Sequence, residues 1–448
     1  MLRSTLNRFL TTALGGIVVA TTAILVPDTT VLVGVASVVY LLVLASLYRF
    51  DYLHPSVAYV LPWLMILIFS VIPISVHSRP LDSATYYMML ATVIAWLLGC
   101  TSVPPAGSAA VLHGVKSPAE PASLSFEFQA GVGTFIGIGF VVLYAFAALN
   151  IAVAGYIPIV SQMTTGDSHY LEFGVPSVYG AFLAYANALA CFAFYVYLRG
   201  RRRVYLILFF SVLVMHVALI TRQNLITLLI EAFVIRSLAL GRLSRVTMVG
   251  CAVFALVAFS LIGTLRSGDA KEIFGVQPEF MWIPTSVIWL YAYSYFNALN
   301  VDNVITSTGA PYFDGYMWQT LLPSVLRPEN AHSAFEYMEV QSAATASYIF
   351  PVYTDIGKGV VLWTGMLATV TALAYRRAMQ RRRFIDIATY SCLFFCALLS
   401  FFVDFWLYLP VIFQLFFFWI FHALQSKRTA GNAAEPARRL DAPGLHDA

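Results

Sequence analysis

The chain has 448 residues, of which 60% are hydrophobic and 11% charged, with a mean hydropathy of +0.79 and a formal net charge of +4. A soluble domain carries about 25% charge, so there are too few charges here to cover a water-facing surface. The small positive balance excludes a nucleic-acid binder, and no Walker loop, dinucleotide glycine fingerprint or His/Cys metal cluster supports ATP-driven or redox chemistry.

Apolar runs near the roughly 20 residues a span needs predict membrane helices at 9–26, 31–48, 56–75, 85–103, 129–152, 178–198, 204–221, 223–240, 246–264, 359–375, 385–403 and 407–424. The first run follows Arg3 and Arg8 and resembles a signal peptide. No convincing small-residue cleavage site precedes Pro27-Asp28, so it reads as a retained span. Segment 104–128, rich in Pro, Ala and Ser, and the Ala/Pro/Arg-rich tail 427–448 read as linkers, the tail as disordered. Residues 1–426 then form a single polytopic domain. No internal repeat is visible, which weakens the case for an inverted-repeat transporter.

With the N-terminus in the cytoplasm, nineteen Lys and Arg residues fall on the cytoplasmic side. Six fall on the other: Arg79, Arg222, Arg266, Lys271, Arg327 and Lys358. This bias places both termini inside. It also decides residues 279–299. If they crossed, the basic block Arg376–Arg383 would lie outside. Trp282, Trp289, Tyr291, Tyr293 and Tyr295 favour the headgroup layer, so the stretch reads as a helix lying at the outer interface against the bundle. Two non-cytoplasmic loops follow, at about 155–177 and 265–358. The expected fold is all-α, a polytopic protein of about twelve transmembrane helices whose large outer loop bears short interfacial helices.

Outer arginines run against the general charge trend and invite a reason. Arg222 sits at the hairpin between two spans and Arg266 follows the ninth span at the same depth. A guanidinium bonds phosphate oxygens in pairs and stays charged, so two at one depth suit a pyrophosphate at headgroup level. Snorkelling toward lipid headgroups is the plainer explanation of each. Glu231, mid-span, is either functional or a packing residue, and His216 reads as bonded to a backbone or hydroxyl group. In the large loop His332, Glu336, Glu339 and Asp355 are candidates for a general base. Aromatics there, including Tyr312, Tyr316 and Tyr353, suit stacking on sugars or an interfacial core. The five cysteines show no zinc or redox spacing. Cys392 and Cys396, one turn apart, read as a packing pair.

Four stretches resemble the O-antigen polymerase family of Wzy-type repeat-unit polymerases. They are Gly155-Tyr156-Ile157-Pro158-Ile159 with the loop ending EFGVPS, Arg222 opening the eighth span with Arg242 and Arg245 closing it, Arg266, and residues 345–366, TASYIFPVYTDIGKGVVLWTGM. In the last of these Tyr353, Asp355, Gly357 and Gly359 follow the family's pattern, with Ile356 in place of its common aromatic. The likeness extends in layout over roughly residues 50–420. It implies a metal-independent glycosyltransferase, with no cofactor, of the bacterial inner membrane. That enzyme would join undecaprenyl-pyrophosphate-linked oligosaccharides on the periplasmic side, for O-antigen, capsule or exopolysaccharide. By position Arg222 and Arg266 would hold the pyrophosphate, and His332 lies roughly where related ligases have a loop histidine. Arg222, Arg266, His332 and Asp355 are thus expected to be catalytic, and Arg79, Arg327, Tyr353 and Tyr316 to bind substrate. Besides membrane lipid and the lipid-linked substrates, the resemblance implies a chain-length regulator and a flippase as partners. A flippase or an O-antigen ligase is the alternative function.

Overall fold

Lipid offers no hydrogen bonds, so a chain buried in it must pair its backbone groups internally, which a helix does within one segment. A computed structural model of the protein describes residues 51–440 apart from 71, 105–130, 168, 170, 171, 177, 242–244, 308–310, 312, 314, 324, 325, 327–337 and 341–344. The described residues are helical, with one isolated antiparallel bridge between Ser75 and Val276. In chain order the helices are α1 (Pro55–Phe69), α2 (Ser83–Ser102), α3 (Val132–Ala154), α4 (Pro158–Thr165), α5 (Val178–Gly200), α6 (Arg203–Ala218) and α7 (Arg222–Leu240). They continue with α8 (Arg245–Ser267), α9 (Thr285–Ser307), α10 (Ile349–Ile356), α11 (Val360–Arg381), α12 (Phe384–Leu398) and α13 (Leu409–Leu440).

Every predicted span from 56–75 onward falls on one of these helices; 9–26 and 31–48 lie outside the described residues. Six stretches among the described residues are long and apolar enough to cross a membrane: Ser83–Ser102, Val132–Thr165, Val178–Gly200, Arg222–Leu240, Val246–Ser267 and Ile349–Arg381. Helices α1, α6, α12 and the Leu409–Leu424 part of α13 are apolar but shorter. The chain is an all-α protein built for a membrane.

Local signals fix the helix ends. Asp82 caps α2 by accepting the Ala84 N–H at 2.8 Å, and His54 caps α1 through Ser56, where Pro55 supplies a preset first turn. Gly155 ends α3 at φ +80°, a left-handed conformation that a side chain would oppose. Helix α5 lies at the centre of the bundle, between α3, α6, α7 and α13, and α8 lies at its margin with few of its side chains buried. The closest helix pair is α2 with α11, where Gly99 lets the Gly365 carbonyl approach.

Two expectations need correcting. The tail expected to be disordered from 427 continues α13 as helix to Leu440; its Ala and Arg residues favour helix more than the sequence reading allowed. The stretch over 279–299, read as an interfacial helix against the bundle, forms α9, Thr285–Ser307, which does pack against the bundle, but its bounds lie further along the chain and most of its aromatics meet protein. Trp289, Tyr291 and Tyr295 are fully buried, and Trp282, outside the helix, is exposed. Their polar tips meet protein: Tyr291 bonds the Ser78 hydroxyl at 2.6 Å, Tyr295 donates to the Arg79 carbonyl, and Trp289 Nε1 donates to Thr264 at 3.3 Å. Helix α9 runs across one end of the bundle. It touches the last residues of α1 and α8, the start of α2, and the 399–408 link after α12. Asn297 ties it there, donating to the carbonyls of Phe401 and Phe402, both at 3.2 Å, while its amide oxygen accepts the Thr345 hydroxyl at 2.7 Å.

Candidate functional site

Arg222 opens α7 after a hairpin of three residues that follows α6. Such a short turn is strained: Ile220, a β-branched residue, takes φ +53°. A buried polar network supports it. His216 accepts the Thr221 N–H on its carbonyl at 3.0 Å, and its ring contacts the Thr221 hydroxyl at 3.0 Å and the Asn187 amide oxygen at 2.8 Å. An amide oxygen only accepts, so Nε2 carries the proton, while the Thr221 hydroxyl lies within reach of both Nδ1 and the His216 carbonyl. Asn187 in turn donates to Asn224 at 3.3 Å.

From this base the Arg222 side chain points into an aromatic box. Its guanidinium carbon lies 4.9 Å from the centre of the Phe259 ring, 5.1 Å from Tyr293 and 5.6 Å from Trp289. Nη2 donates to the Tyr293 hydroxyl, and among the described residues Nη1 has no partner. The residue is only 8% exposed, which rules out snorkelling into headgroup water. Among the described residues no carboxylate pairs with it. Three ring faces offset part of the cost of burying this charge, each contributing about 0.5–2 kcal/mol. A buried cation without a counter-ion is nevertheless expensive, and an anion would complete the site. Gly263 of α8 makes room for the box, since a Cβ there would lie 3.0 Å from the Trp289 ring and 3.2 Å from Nη1. Arg266, half-buried, lies three residues beyond Gly263 on α8.

The other expected residues fare differently. Arg327 and His332, like Glu336 and Tyr312, lie outside the described residues. Arg79 was expected to bind substrate, but its guanidinium is engaged within the protein. It meets Asp302 and Asn303, each at 2.5 Å, and Glu339 at 3.5 Å. The sequence showed no such partner because Asp302 is distant along the chain and comes near only when α9 docks. This clamp has a measurable value. Asp302 is 1% exposed and Arg79 37%, so Arg79→Met should cost about 1–3 kcal/mol, discounted for the exposed partner. Adding Asp302→Asn should restore part of the loss. Equal melting temperatures for single and double variants in detergent would remove the clamp from the fold's support.

Asp355, expected to be a base, is a capping residue. Its two carboxylate oxygens accept the Tyr316 and Met317 N–H groups at 2.9 and 2.7 Å, holding the 3-10 turn Tyr316–Leu321. Tyr316 is half-buried with its ring edge-on to Phe350 at 6.0 Å, and Tyr353 is buried on α10. These three form a second group around that turn, with no described contact to Arg222. Glu231 is fully buried and bonds Gln414 at 2.6 Å and the Cys191 thiol at 3.2 Å, tying α7 to α13 and α5. Among the described residues no cluster of His, Cys, Asp or Glu could hold a metal ion.

Sequence reading missed Asp404. It lies in the link between α12 and α13, 5% exposed, with Oδ1 accepting the Trp406 and Leu407 N–H groups and Oδ2 buried without a partner. Burial pushes its carboxyl up to about 7, against the two backbone donors. The folded chain therefore keeps a proton that the unfolded chain releases above its ordinary value near 4. Stability from this group is full below that value and is lost as pH rises toward 7. Asp404→Asn should flatten that decline and stabilise the protein at pH 8 by up to about 4 kcal/mol. Detergent melting curves at pH 5 and pH 8 check this; an equal pH dependence in both proteins would refute it.

Fold and site together define an all-α membrane protein with a buried, aromatic-lined cation at one end of its bundle. No protein-family model matches the chain, and no curated protein or solved structure is significantly similar to it.

Proposed function

We propose that the chain is a membrane glycosyltransferase that polymerises undecaprenyl-pyrophosphate-linked oligosaccharide repeat units, with Arg222 holding the leaving group. One observation carries this reading: a guanidinium buried among Phe259, Trp289 and Tyr293, with Nη1 unpartnered and no carboxylate paired with it among the described residues. The chain crosses the inner membrane of a bacterium twelve times with both termini in the cytoplasm, and the Arg222 end faces the periplasm. Loops 155–177 and 265–358 lie there.

In the reaction the acceptor hydroxyl oxygen bonds the donor's anomeric carbon and gives its proton to a base or water. The bond from that carbon to the phosphate oxygen breaks, and undecaprenyl pyrophosphate leaves with the electron pair. Charge develops on the pyrophosphate as the bond breaks, and a pre-placed guanidinium in a dry pocket stabilises it without reorganising. Arg266, which follows one turn after Gly263 on α8, shares that charge. Holding both partners at one site adds the gain of orientation.

The alternative of a flippase is less well supported, because Glu231 is fully buried against Gln414 and Cys191. Purified protein in detergent, with no membrane gradient, should convert lipid-linked repeat units into a ladder of longer products. Absence of a ladder, with movement of the same substrate across vesicles, would decide for transport. Products that appear only when lipid A–core is supplied would decide for a ligase.

A further inference from the structure

A groove of about 540 Å³ runs alongside Arg222 between α1, α7, α8, α9 and α12. On α7 its wall extends from Gln223 to Phe233 and on α8 from Met248 to Phe259, while α1 supplies Leu61. Ten residues of helix are about 15 Å, roughly half the hydrocarbon thickness of a bilayer. The lining is almost wholly apolar, and small side chains, Ala58, Ala252 and Ala255, leave the space open. Leu61 is 56% exposed and Ala252 is exposed too, so the groove opens sideways between α1 and α8, where lipid would lie. At its far end the groove meets the Arg222 box, because Phe259 and Tyr293 are walls of both.

An apolar slot of this length ending at an uncompensated cation is complementary to one kind of molecule: a long hydrocarbon with an anion at its tip. We infer that this groove holds the hydrocarbon chain of a single-chain polyprenyl phosphate or diphosphate, entering between α1 and α8 with its phosphate on Arg222. The inference rests on the reading of Arg222 as a phosphate holder and adds where the lipid lies and by which route it arrives. A single slot takes one hydrocarbon chain, whereas a glycerophospholipid would leave its second acyl chain outside. Ala255, midway along α8, sets the depth available to the chain, and Gln223, beside the box, is the one amide in the lining.

The test uses the full chain in mild detergent with farnesyl diphosphate, farnesol, inorganic pyrophosphate and dioleoyl phosphatidylglycerol as probes. The intact protein should bind farnesyl diphosphate at least about tenfold more tightly than farnesol, and Arg222→Ala should remove most of that difference. Ala255→Trp, which fills the groove, should weaken farnesyl diphosphate by about tenfold and leave inorganic pyrophosphate unchanged. Ala252→Trp, at the exposed opening, should slow entry with little loss of thermal stability, which keeps the test valid if the deeper variant misfolds. Unchanged farnesyl diphosphate binding in both tryptophan variants overturns the groove while leaving the Arg222 reading intact. Equal binding of farnesol and the diphosphate, insensitive to Arg222→Ala, overturns both. Equal affinity for phosphatidylglycerol overturns the single-chain assignment. A photo-reactive benzoylphenylalanine at position 252 should label added polyprenyl lipid; labelling only the chain's own residues 9–48 would show the groove filled from within and overturn the inference.

Discussion

Arg222→Ala is expected to leave the protein folded in the membrane and to collapse long glycan to single repeat units. Loss of one positioned donor to a developing oxyanion costs about 10²–10³ in rate, and a full guanidinium at the leaving group belongs at the upper end. Arg222→Lys should recover only part, since lysine keeps the charge and loses the planar fork. Stability should move the other way. Among the described residues Nη1 is buried without a partner, so removing the charge relieves a cost and the melting temperature should hold or rise. Glycan ladders and detergent melting curves on the same preparations measure both. A normal ladder from Arg222→Ala would remove this residue from the mechanism, and a protein that no longer folds would make Arg222 a structural residue.

Gly99→Leu is expected to have the largest effect on folding. A Cβ at this position would lie 2.4 Å from the Gly365 carbonyl oxygen and 2.7 Å from the Ala368 Cβ, so α2 and α11 would have to move apart. The obstacle is backbone, which cannot rotate away. Overpacking of a well-filled contact costs about 1–3 kcal/mol, and Leu adds branches that have nowhere to go. Gly99→Ala should already destabilise by a smaller amount. Gly180 provides the contrast: its Cβ would meet Pro410 at 3.6 Å, an ordinary contact, so Gly180→Ala should be near neutral. Yield and melting temperature of the three variants test the ranking, and a well-folded Gly99→Leu would show that the helices separate at little cost.

The helices after residue 50 were legible because lipid imposes a strong requirement, a long apolar run, that reads directly from sequence. Arg222 was legible for a related reason, the shortness of its hairpin, which leaves a guanidinium at a fixed depth. Its surroundings were not. Phe259 comes from α8 and Trp289 and Tyr293 from α9, and no spacing within one segment shows that they converge. A partial signal existed: Trp289 and Tyr293 are four apart on one helix face, as are Phe259 and Gly263. The aromatics of α9 misled because Trp and Tyr suit both a headgroup layer and a buried site where a hydroxyl or indole N–H finds a protein partner. Arg79 and Asp355 misled for the opposite reason. Each looked available as a charge in a loop, and each is engaged by groups far away in sequence, Asp302 for one and two backbone amides for the other. Asp404, flanked by apolar residues near a helix end, carried no pattern that would single it out.

The docking of α9 by Asn297 onto the carbonyls of Phe401 and Phe402 has a consequence for biogenesis. Synthesis proceeds from the N-terminus, so the ribosome has made Arg222 long before residues 401 and 402 exist. Until they emerge, the Asn297 anchor and the Phe402 ring beside Tyr293 are missing, and α9 has only its contacts to earlier segments, such as Ser78, Arg79 and Thr264. A ribosome stalled before residue 402 would therefore leave a nascent chain with every ring of the box already made but with α9 lacking its last anchor.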